Sequence, residues 1–407
     1  MSARRIAVFS LHTSPLAQPG EGDGGGMNVY VRALAAAVAR SGVECDVYTR
    51  ATSRTAATVV PVEPGFRVIH VPAGPRADVP KNELFDLVEP FTVAAEEMMR
   101  DRAPVDVVHA NYWLSGAVAH RLKHRLGLPL VATFHTLARV KADAGVDDDP
   151  AHRTTVEHEV VSCADLMLAS TSEERSHLAD LYAADPARIE VVPPGVDHTV
   201  FSPGDRDAAR TRLGIEARRV LLFAGRIQPL KGVDLAVRSL ATLADPDAEL
   251  LVVGGPSGRS GELEVRRTRR LAADLGVADR VRWIRPQPHE RLADYYRAAD
   301  VCLVPSRTES FGLVALEAAS CGTPVVAAAV GGLRSLVVDG RTGFLVEGRS
   351  PADYAAPVAR ILADPAAAAG LSRAAVAHSA QYSWSTTAAR LRRLYGDLAA
   401  RRPVRCD

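Results

Sequence analysis

Short apolar segments alternate with longer amphipathic segments along most of the chain. The short segments have the length of strands and are bounded by polar or turn-forming residues, which is typical of buried parallel strands. The longer segments repeat apolar residues at the spacing of one helix face, as Val31, Leu34 and Val38 do. The predicted strands are 5–10, 43–49, 68–71, 105–109, 130–134, 166–170, 220–224, 249–253, 281–284, 301–305 and 323–328, and the predicted helices are 28–40, 82–102, 115–126, 154–163, 233–243, 289–298, 312–320 and 385–401.

The segment 192–204 interrupts this alternation with a cluster of Pro and Gly residues. A chain of 407 residues is too long for one ordinary core, so we place a domain boundary there. We expect an α/β protein with two doubly wound, Rossmann-like domains, 1–195 and 196–382, that face each other across a central cleft. A C-terminal helix at about 383–407 is expected to pack back on the first domain.

Charge and hydropathy exclude several kinds of partner. The formal net charge is +1, and no run of Lys and Arg suggests a groove for nucleic acid. No apolar stretch approaches the length of a membrane span, and the apolar run near the N-terminus is too short for a signal peptide, so we expect a cytoplasmic protein without a membrane partner. The alanine-rich helices could pack in the core or form the interface of a homodimer, and the sequence leaves the oligomeric state open.

The residues that most often bind soft metal ions show no recognised spacing. No CxxC pair occurs, and no cysteine lies near a His pair at metal-ligand spacing, so we expect reduced thiols. The acidic run 147–149 lacks further oxygen ligands and is interpreted as a solvated loop. The cysteines are Cys45, Cys163, Cys302, Cys321 and Cys406.

The strongest chemical signal is the stretch 309–317, which reads ESFGLVALE. Glu309 follows a predicted strand, and Glu317 lies about a turn and a half into the next predicted helix. The carboxyl edge of a parallel sheet binds ligands, and the unpaired amides of a helix start attract anions. A carboxylate on either side of such a turn is well placed for sugar or ribose hydroxyls beside a phosphate.

A glycine-rich loop follows the first predicted strand. The run Gly24-Gly25-Gly26 lies between that strand and the helix 28–40, an arrangement that binds phosphate because glycines let the backbone approach an anion. The spacing is not that of the dinucleotide fingerprint, and a flexible loop is the alternative. His12 and Asp23 add polar side chains that a flexible linker would not need.

Polar side chains follow several other predicted strands. Tyr112, His135 and Thr136 come after strands of the first half, and Lys81 and Arg153 precede helices. Because these positions share one sheet edge, we expect a pocket there for an anionic, hydroxylated small molecule.

Two cations bracket a strand-to-helix turn in the second half. Arg226 and Lys231 lie in GRIQPLKG, where both can converge on one anion above a helix start. A diphosphate suits this pair, because Arg offers forked donors and Lys a mobile point charge.

Taken together, ESFGLVALE, GRIQPLKG, VVGGPSG and HTSPLAQPGEGDGGGMNVYV resemble the family 4 retaining glycosyltransferases of GT-B architecture. Within that family the chain is similar to the D-inositol-3-phosphate glycosyltransferases that begin mycothiol biosynthesis. The resemblance spans nearly the whole chain. It implies transfer of N-acetylglucosamine from UDP-N-acetylglucosamine to 1D-myo-inositol 3-phosphate, with retention and with no required cofactor.

The resemblance also implies roles for single residues. Arg226 and Lys231 would hold the donor diphosphate and stabilise the leaving group, while Glu309 and His135 would lie beside the donor sugar and complete the catalytic set. Further sugar-donor residues are implied at Gln18, Pro19, Gly26, Gln287 and Glu317.

The implied acceptor residues fall into two groups, one for the inositol ring and one for its phosphate. The residues implied to bind the inositol ring are His12, Asp23, Gly24, Gly25, Gly26, Met27 and Asn28. Those implied to bind the phosphate are Lys81, Tyr112, Thr136 and Arg153. Members of the family can also carry a non-essential Mg²⁺ near Tyr296, Arg297, Ala299 and Thr323.

Four features depart from the family pattern, and two of them are the stretch 134–142 and the loop DDDPAHR at 147–153. Ala110-Asn111 stand before Tyr112 where Ser-His is usual, and Gln287 stands where an Arg can occur. All four residues implied to bind the acceptor phosphate are present. The identity of the acceptor's ring is therefore less determined than the presence of its phosphate. Alternatives are an aminocyclitol or fructose 6-phosphate as acceptor, another hexose donor, a nucleotide-sugar epimerase, or a sugar-nucleotide-binding protein without catalysis.

Overall fold

A computed structural model describes residues 3–20, 22, 24–55, 57–145, 150–243, 245–258 and 261–406. The chain divides into two compact units, one of Met1–Ala17, Met27–Gly195 and Trp384–Asp407, and the other of Gln18–Gly26 and Val196–Ser383. The elements up to the first unit's last strand are β1 (Arg5–Phe9), α1 (Gly26–Arg40), β2 (Glu44–Arg50), β3 (Val59–Glu63), β4 (Phe66–Val71), a 3₁₀ turn (Lys81–Leu87), α2 (Val88–Arg100), β5 (Val107–Asn111), α3 (Trp113–Leu126), β6 (Leu130–Thr133), α4 (Ala138–Asp143), α5 (Arg153–Cys163), β7 (Leu166–Ala169), α6 (Ser172–Tyr182), a 3₁₀ turn (Pro186–Arg188) and β8 (Ile189–Val191).

In the described residues the first unit forms an eight-stranded sheet in the order β3-β4-β2-β1-β5-β6-β7-β8. Its neighbouring strands are parallel except for β3 and β4. The chain winds outward in both directions from β1, so helices cover both faces. Along β1, Ala7 and Phe9 belong to one buried cluster and Ile6 and Val8 to another. Both faces are apolar, as expected of a buried parallel strand.

The second unit repeats the design on a six-stranded parallel sheet in the order β11-β10-β9-β12-β13-β14, counted over its described residues. Along β9, Leu222 and Ala224 face one buried cluster, and Leu221 and Phe223 face the other. The elements are α7 (Arg206–Leu213), β9 (Arg219–Ala224), a 3₁₀ turn (Pro229–Lys231), α8 (Val233–Thr242), β10 (Ala248–Val253), α9 (Gly261–Asp274), a 3₁₀ turn (Ala278–Arg280), β11 (Val281–Ile284), α10 (His289–Ala298), β12 (Val301–Val304), α11 (Leu313–Ser320), β13 (Val325–Ala328), α12 (Leu333–Leu336), β14 (Gly343–Val346), α13 (Pro351–Ala363), α14 (Pro365–Ser379) and α15 (Trp384–Ala399).

Helix α15 belongs to the first unit although it ends the chain. Leu391 and Tyr395 are fully buried in the cluster that contains α1. The Tyr395 hydroxyl forms a 2.8 Å hydrogen bond with Nδ1 of His109, a buried residue of β5. Burial lowers the pKa of His109 to about 3, so the imidazole is neutral at physiological pH.

Several elements differ from the sequence-based predictions. β3, β8 and β14 were not predicted, because each is short and half-exposed and so shows no continuous apolar run. β14 pairs in parallel with β13. The segment 18–26 also groups with the second unit, whereas the predicted boundaries assigned it to the first.

The structure also corrects the expectation for the cysteines. Cys163 and Cys406 form a disulfide across 243 positions of sequence, while Cys45, Cys302 and Cys321 are buried thiols. The prediction of five separate thiols is wrong for that pair, because the C-terminal tail returns to the end of α5. The acidic run 147–149 lies outside the described residues. Within the described part, no helix is both long and apolar enough to cross a membrane.

Candidate active site

The second unit places Arg226 and Lys231 on the loop between β9 and α8. The Arg226 guanidinium donates from Nη1 to Ser257 Oγ at 3.2 Å. Gly25 packs directly against it, since a Cβ at that glycine would lie 2.8 Å from Arg226 Nε. The glycine loop therefore approaches the guanidinium as closely as backbone can, and any side chain at 25 would displace it.

Lys231 is held by one of the two motif glutamates. Its Nζ donates to Glu309 Oε2 at 2.6 Å, and Ser306 Oγ donates to the same oxygen at 3.3 Å. Both side chains of the ion pair are partly exposed, at 23% and 16%. An anion from solvent can thus reach the Lys231 ammonium. Before an anion binds, the Glu309 carboxylate holds the ammonium at the edge of the sheet.

Two glycines fix the turn that carries Glu309. Gly332 N donates to the Glu309 carbonyl at 2.9 Å. A Cβ at Gly331 would overlap that carbonyl oxygen, and one at Gly332 would overlap the backbone of Phe311. The backbone of Gly331 and Gly332 therefore packs directly against the backbone of the turn that carries Glu309. Helix α11 begins directly after this turn.

Glu317 lies inside the unit, on α11. It is 6% exposed and accepts a 2.8 Å hydrogen bond from the Tyr296 hydroxyl. Burial raises the pKa of Glu317 to about 7, which the bond from Tyr296 partly opposes.

This shift predicts how stability depends on pH. Between the ordinary pKa of 4.5 and about 7, the folded chain binds a proton at Glu317 that the unfolded chain has lost. Stability therefore falls as pH rises through this window. In Glu317→Gln that contribution is absent, so urea midpoints should change less between about pH 5 and about pH 7.5 than in the wild type. Glu262→Gln, an exposed change on α9, is the control; an E317Q profile parallel to the wild-type one would contradict the assignment.

The segment 18–26 forms a wall of the same unit. Gln18 Nε2 donates to the carbonyl of Gln287 at 3.0 Å, and Gly20 packs against Pro286. The Gln287 amide in turn donates to the Arg285 carbonyl at 2.8 Å. The remaining predicted residues of this loop are half-buried Pro19, buried Gly24 and exposed Gly26, the first residue of α1.

The predicted magnesium residues lie at the C-terminal end of α10. Thr323 Oγ1 donates to the Tyr296 carbonyl at 2.6 Å. The Arg297 guanidinium points to the loop 200–202, where it donates to the carbonyls of Val200 and Ser202. Backbone carbonyls at a helix end and a hydroxyl are hard oxygen ligands of the type that Mg²⁺ accepts, and Ala299 follows on the same turn.

In the first unit, three predicted residues surround the ring of Tyr112, and a fourth, Thr136, contacts one of them. The His12 ring lies 4.5 Å from it between centroids, and Lys81 Nζ lies 4.5 Å from its centroid. Arg153 Nη1 donates to the Tyr112 hydroxyl at 3.1 Å, and Nη2 donates to Thr136 Oγ1 at 3.1 Å. Two cations, two hydroxyls and an imidazole therefore meet in one place, which suits a phosphate on a polar small molecule.

A buried carboxylate holds Arg153. Glu157, one helical turn later on α5, accepts from Arg153 Nε at 2.7 Å, and both side chains are at most 1% exposed. Glu157 also accepts from the Ala138 amide and from the Tyr182 hydroxyl. The guanidinium is therefore fixed, and Lys81 supplies charge that Glu157 does not neutralise.

His135 lies at the end of β6 with φ of 61°, which is unusual for a residue with a side chain. Its Nε2 contacts Asn111 Oδ1 at 2.9 Å, and its ring packs edge-on to Tyr30. Burial lowers the pKa of His135 to about 3, and nearby His109 adds to this shift. The imidazole is therefore neutral and can serve as a polar contact rather than as a cation.

Two predicted ring residues have structural contacts in the first unit. Asn28 is buried and donates to Thr13 Oγ1 and to the Ser14 carbonyl, both at 2.6 Å. Met27 packs on the apolar clusters at both faces of the sheet. Asp23 lies outside the described residues.

Sequence reasoning missed the residues that support these side chains. Ser257, Ser306, Asn111 and Glu157 each contact a predicted residue. Glu157 could have been found, because it follows Arg153 by four positions on a predicted helix. Ser306 lies three positions before Glu309, whereas Ser257 and Asn111 contact residues 31 and 24 positions away, and no local rule assigns partners at those distances.

Both units match known families of sequence. Residues 25–195 match the glycosyl transferase 4-like domain, and residues 205–378 match the glycosyl transferases of group 1.

Individual proteins extend the likeness over the whole chain. The D-inositol 3-phosphate glycosyltransferase of Acidothermus cellulolyticus is 48% identical, over 98% of this chain and 91% of its own. The enzyme of the same name from Geodermatophilus obscurus is 51% identical over 94% and 87%. The sucrose-phosphate synthase of Thermosynechococcus elongatus superposes with a TM-score of 0.92 at 34% identity, over 98% of this chain and 99% of that one. The chain therefore belongs to the D-inositol 3-phosphate glycosyltransferase family, within the retaining GT-B glycosyltransferases, and is a nucleotide-sugar-dependent glycosyltransferase.

Proposed function

We propose that the enzyme transfers N-acetylglucosamine from UDP-N-acetylglucosamine to a hydroxyl of 1D-myo-inositol 3-phosphate, with retention at the anomeric carbon. The observation that carries the acceptor is the cluster around Tyr112, where Lys81 and Arg153 lie on one aromatic ring. The names of the relatives that are about half identical support the same acceptor.

The phosphate of the acceptor is assigned to this cluster. Glu157 already holds the Arg153 side chain in position, so little side-chain entropy is lost when the guanidinium binds the phosphate. Lys81 and the hydroxyls of Tyr112 and Thr136 complete the set of donors. His12 packs on the Tyr112 ring as well, where it can contact a hydroxyl of the inositol ring.

The nucleotide sugar is assigned to the second unit. Arg226 and Lys231 bind the diphosphate, and Lys231 exchanges part of its contact with Glu309 for the phosphate. Glu317 accepts from the ribose hydroxyls, and the wall formed by Gln18, Pro19 and Gln287 borders the base. Glu309, once it shares Lys231 with the diphosphate, accepts from the hydroxyls of the sugar.

The proposed transfer is a front-face substitution. The bond from the anomeric carbon to the diphosphate oxygen breaks while the bond to the acceptor oxygen forms on the same face. The acceptor proton passes to an oxygen of the departing diphosphate, and Arg226 and Lys231 stabilise the charge that develops there. Both motif glutamates are assigned to binding, so no covalent glycosyl-enzyme is proposed.

A magnesium ion is proposed to have a structural role if it binds. The carbonyls of Tyr296, Arg297 and Ala299 with the Thr323 hydroxyl would hold it and join the end of α10 to the start of β13. Such an ion would supply charge neutralisation at the helix end. No chemical step is assigned to it.

The test is acceptor-dependent release of UDP. The purified enzyme is given UDP-N-acetylglucosamine alone, with 1D-myo-inositol 3-phosphate, with myo-inositol, or with fructose 6-phosphate, and the product mass is recorded. We expect release that depends on an acceptor and is much faster with inositol 3-phosphate than with inositol, with a phosphorylated pseudodisaccharide as the product of the faster reaction. The fructose 6-phosphate arm is included because the sucrose-phosphate synthase is so similar in structure; turnover in that arm alone would overturn the acceptor assignment.

A further inference from the structure

Four side chains that the transfer reaction does not use converge at one end of the first unit. His120 and His124 lie one turn apart on α3, Cys163 is the last residue of α5, and Cys406 is in the C-terminal tail. One ligand atom of each lies within 4.8 Å of the others. The spacing of the two histidines places them on one helix face, as in helical zinc motifs.

Three of the six distances between the ligand atoms, those that involve His124 Nε2, match a tetrahedral zinc site. His124 Nε2 lies 3.4 Å from Cys163 Sγ, 3.4 Å from Cys406 Sγ and 3.1 Å from His120 Nε2. Zinc bonds of about 2.3 Å to sulfur and about 2.05 Å to nitrogen give tetrahedral edges of about 3.5 Å between N and S and about 3.3 Å between two N atoms. His124 Nε2 thus lies from the two sulfurs and from His120 Nε2 at the separations of ligands on one ion.

The fold brings the tail to this place through a buried ion pair. Asp165 accepts from Lys123 Nζ and from the Leu130 amide, each at 2.7 Å, and also from the Val404 amide. Lys123 additionally donates to the Cys163 carbonyl at 2.7 Å. The end of α3, the end of α5 and the tail are therefore tied to one carboxylate beside the four ligands.

We propose that His120, His124, Cys163 and Cys406 form a structural Zn²⁺ site when the two thiols are reduced. Two neutral imidazoles and two thiolates are a ligand set that zinc accepts, and four protein ligands leave no open position for catalysis. Binding converts two thiols to thiolates and releases two protons, and it requires no oxidant. The charges of the two thiolates neutralise that of the ion.

The disulfide accounts for the positions of only two of the four side chains, Cys163 and Cys406. It requires neither imidazole, yet His124 Nε2 lies 3.4 Å from each sulfur and 3.1 Å from His120 Nε2. With the thiols reduced, zinc provides a common partner for all four groups. His124 is exposed, so an ion from solvent can reach the site.

The site is separate from the acceptor cluster. Arg153 begins α5 and Cys163 ends it, so the two lie about 15 Å apart along the helix. The proposal does not depend on which sugar or acceptor the enzyme uses, and it can be tested without turnover.

The test measures metal binding by the full chain. Protein purified under a phosphine reductant is stripped with a chelator, and the thiols are counted in a denatured aliquot. The folded remainder is titrated with Co²⁺, and its zinc content is measured by elemental analysis after it is reloaded with Zn²⁺. We expect one equivalent of either metal, tetrahedral d–d bands and thiolate-to-cobalt charge transfer. Cys406→Ser and His124→Gln should each weaken zinc binding by at least about 100-fold.

The matched control is His177→Gln, a change of a helical histidine on α6 that should leave zinc content unchanged. Because Cys406 is in the tail, C406S should keep the circular dichroism of the wild type. The proposal is overturned if the fully reduced wild type retains less than about a tenth of an equivalent of zinc, or if C406S and H124Q bind as the wild type does. It is likewise overturned if the Cys163–Cys406 bond resists the reductant in the folded chain.

Discussion

Replacing Arg226 with alanine is expected to lower kcat for UDP-N-acetylglucosamine by about 10³-fold. The guanidinium is held by Ser257 and by close packing of Gly25, so it is already oriented before a diphosphate binds. A preorganised cation at the leaving group acts mainly where negative charge develops, which is in the transition state. Initial rates of UDP release at saturating concentrations of both substrates measure the effect.

Two further variants make this expectation specific. Arg226→Lys keeps the charge but loses the forked donors, so its kcat should lie between those of the wild type and R226A. Arg373→Ala, an exposed change on α14, should leave kcat unchanged. Near-wild-type turnover by R226A would refute the role of this arginine in stabilising the leaving group.

Replacing Lys81 with alanine is expected to raise KM for inositol 3-phosphate by about 10- to 100-fold with a much smaller change in kcat. Lys81 lies over the Tyr112 ring, half-buried, and contributes charge that the Arg153–Glu157 pair does not supply. A hydrogen bond from this ammonium to a phosphate is strong because Lys81 is half-buried. Turnover of inositol without phosphate should change little, so the preference of the enzyme for the phosphorylated acceptor should shrink.

The ratio of kcat/KM for the two acceptors is the decisive quantity, because a general loss of folded protein would leave it unchanged. Arg76→Ala, an exposed change of charge in the same unit, is the control. If K81A lowers kcat/KM equally for inositol and inositol 3-phosphate, the phosphate does not bind at the Tyr112 cluster.

The sequence predicted the architecture well because both sheets are made of strands with apolar residues on both faces. Such runs are recognisable one segment at a time, and β1, β9 and β12 lie close to their predicted positions. The short strands β3, β8 and β14 were missed because half-exposed strands have no continuous apolar run.

The candidate site could be predicted as a set of residues but not as a set of contacts. Arg226, Lys231, Glu309 and Glu317 stand next to strand ends or helix starts, positions that the local pattern reveals. The ion pair of Lys231 with Glu309 spans 78 positions, and no local rule assigns a partner at that distance. The same limit hid the meeting of His124 with Cys406, which depends on where the tail returns.

Helix α15 has a consequence for the order in which the protein can be made. The first unit lacks Leu391 and Tyr395 until the ribosome has translated the whole second unit, roughly 190 residues later. At about 5–20 residues per second, the part of that cluster that α15 covers stays exposed on the nascent chain for roughly ten to forty seconds. The N-terminal unit therefore begins to fold first and finishes last, with its final helix supplied from the other end of the polypeptide.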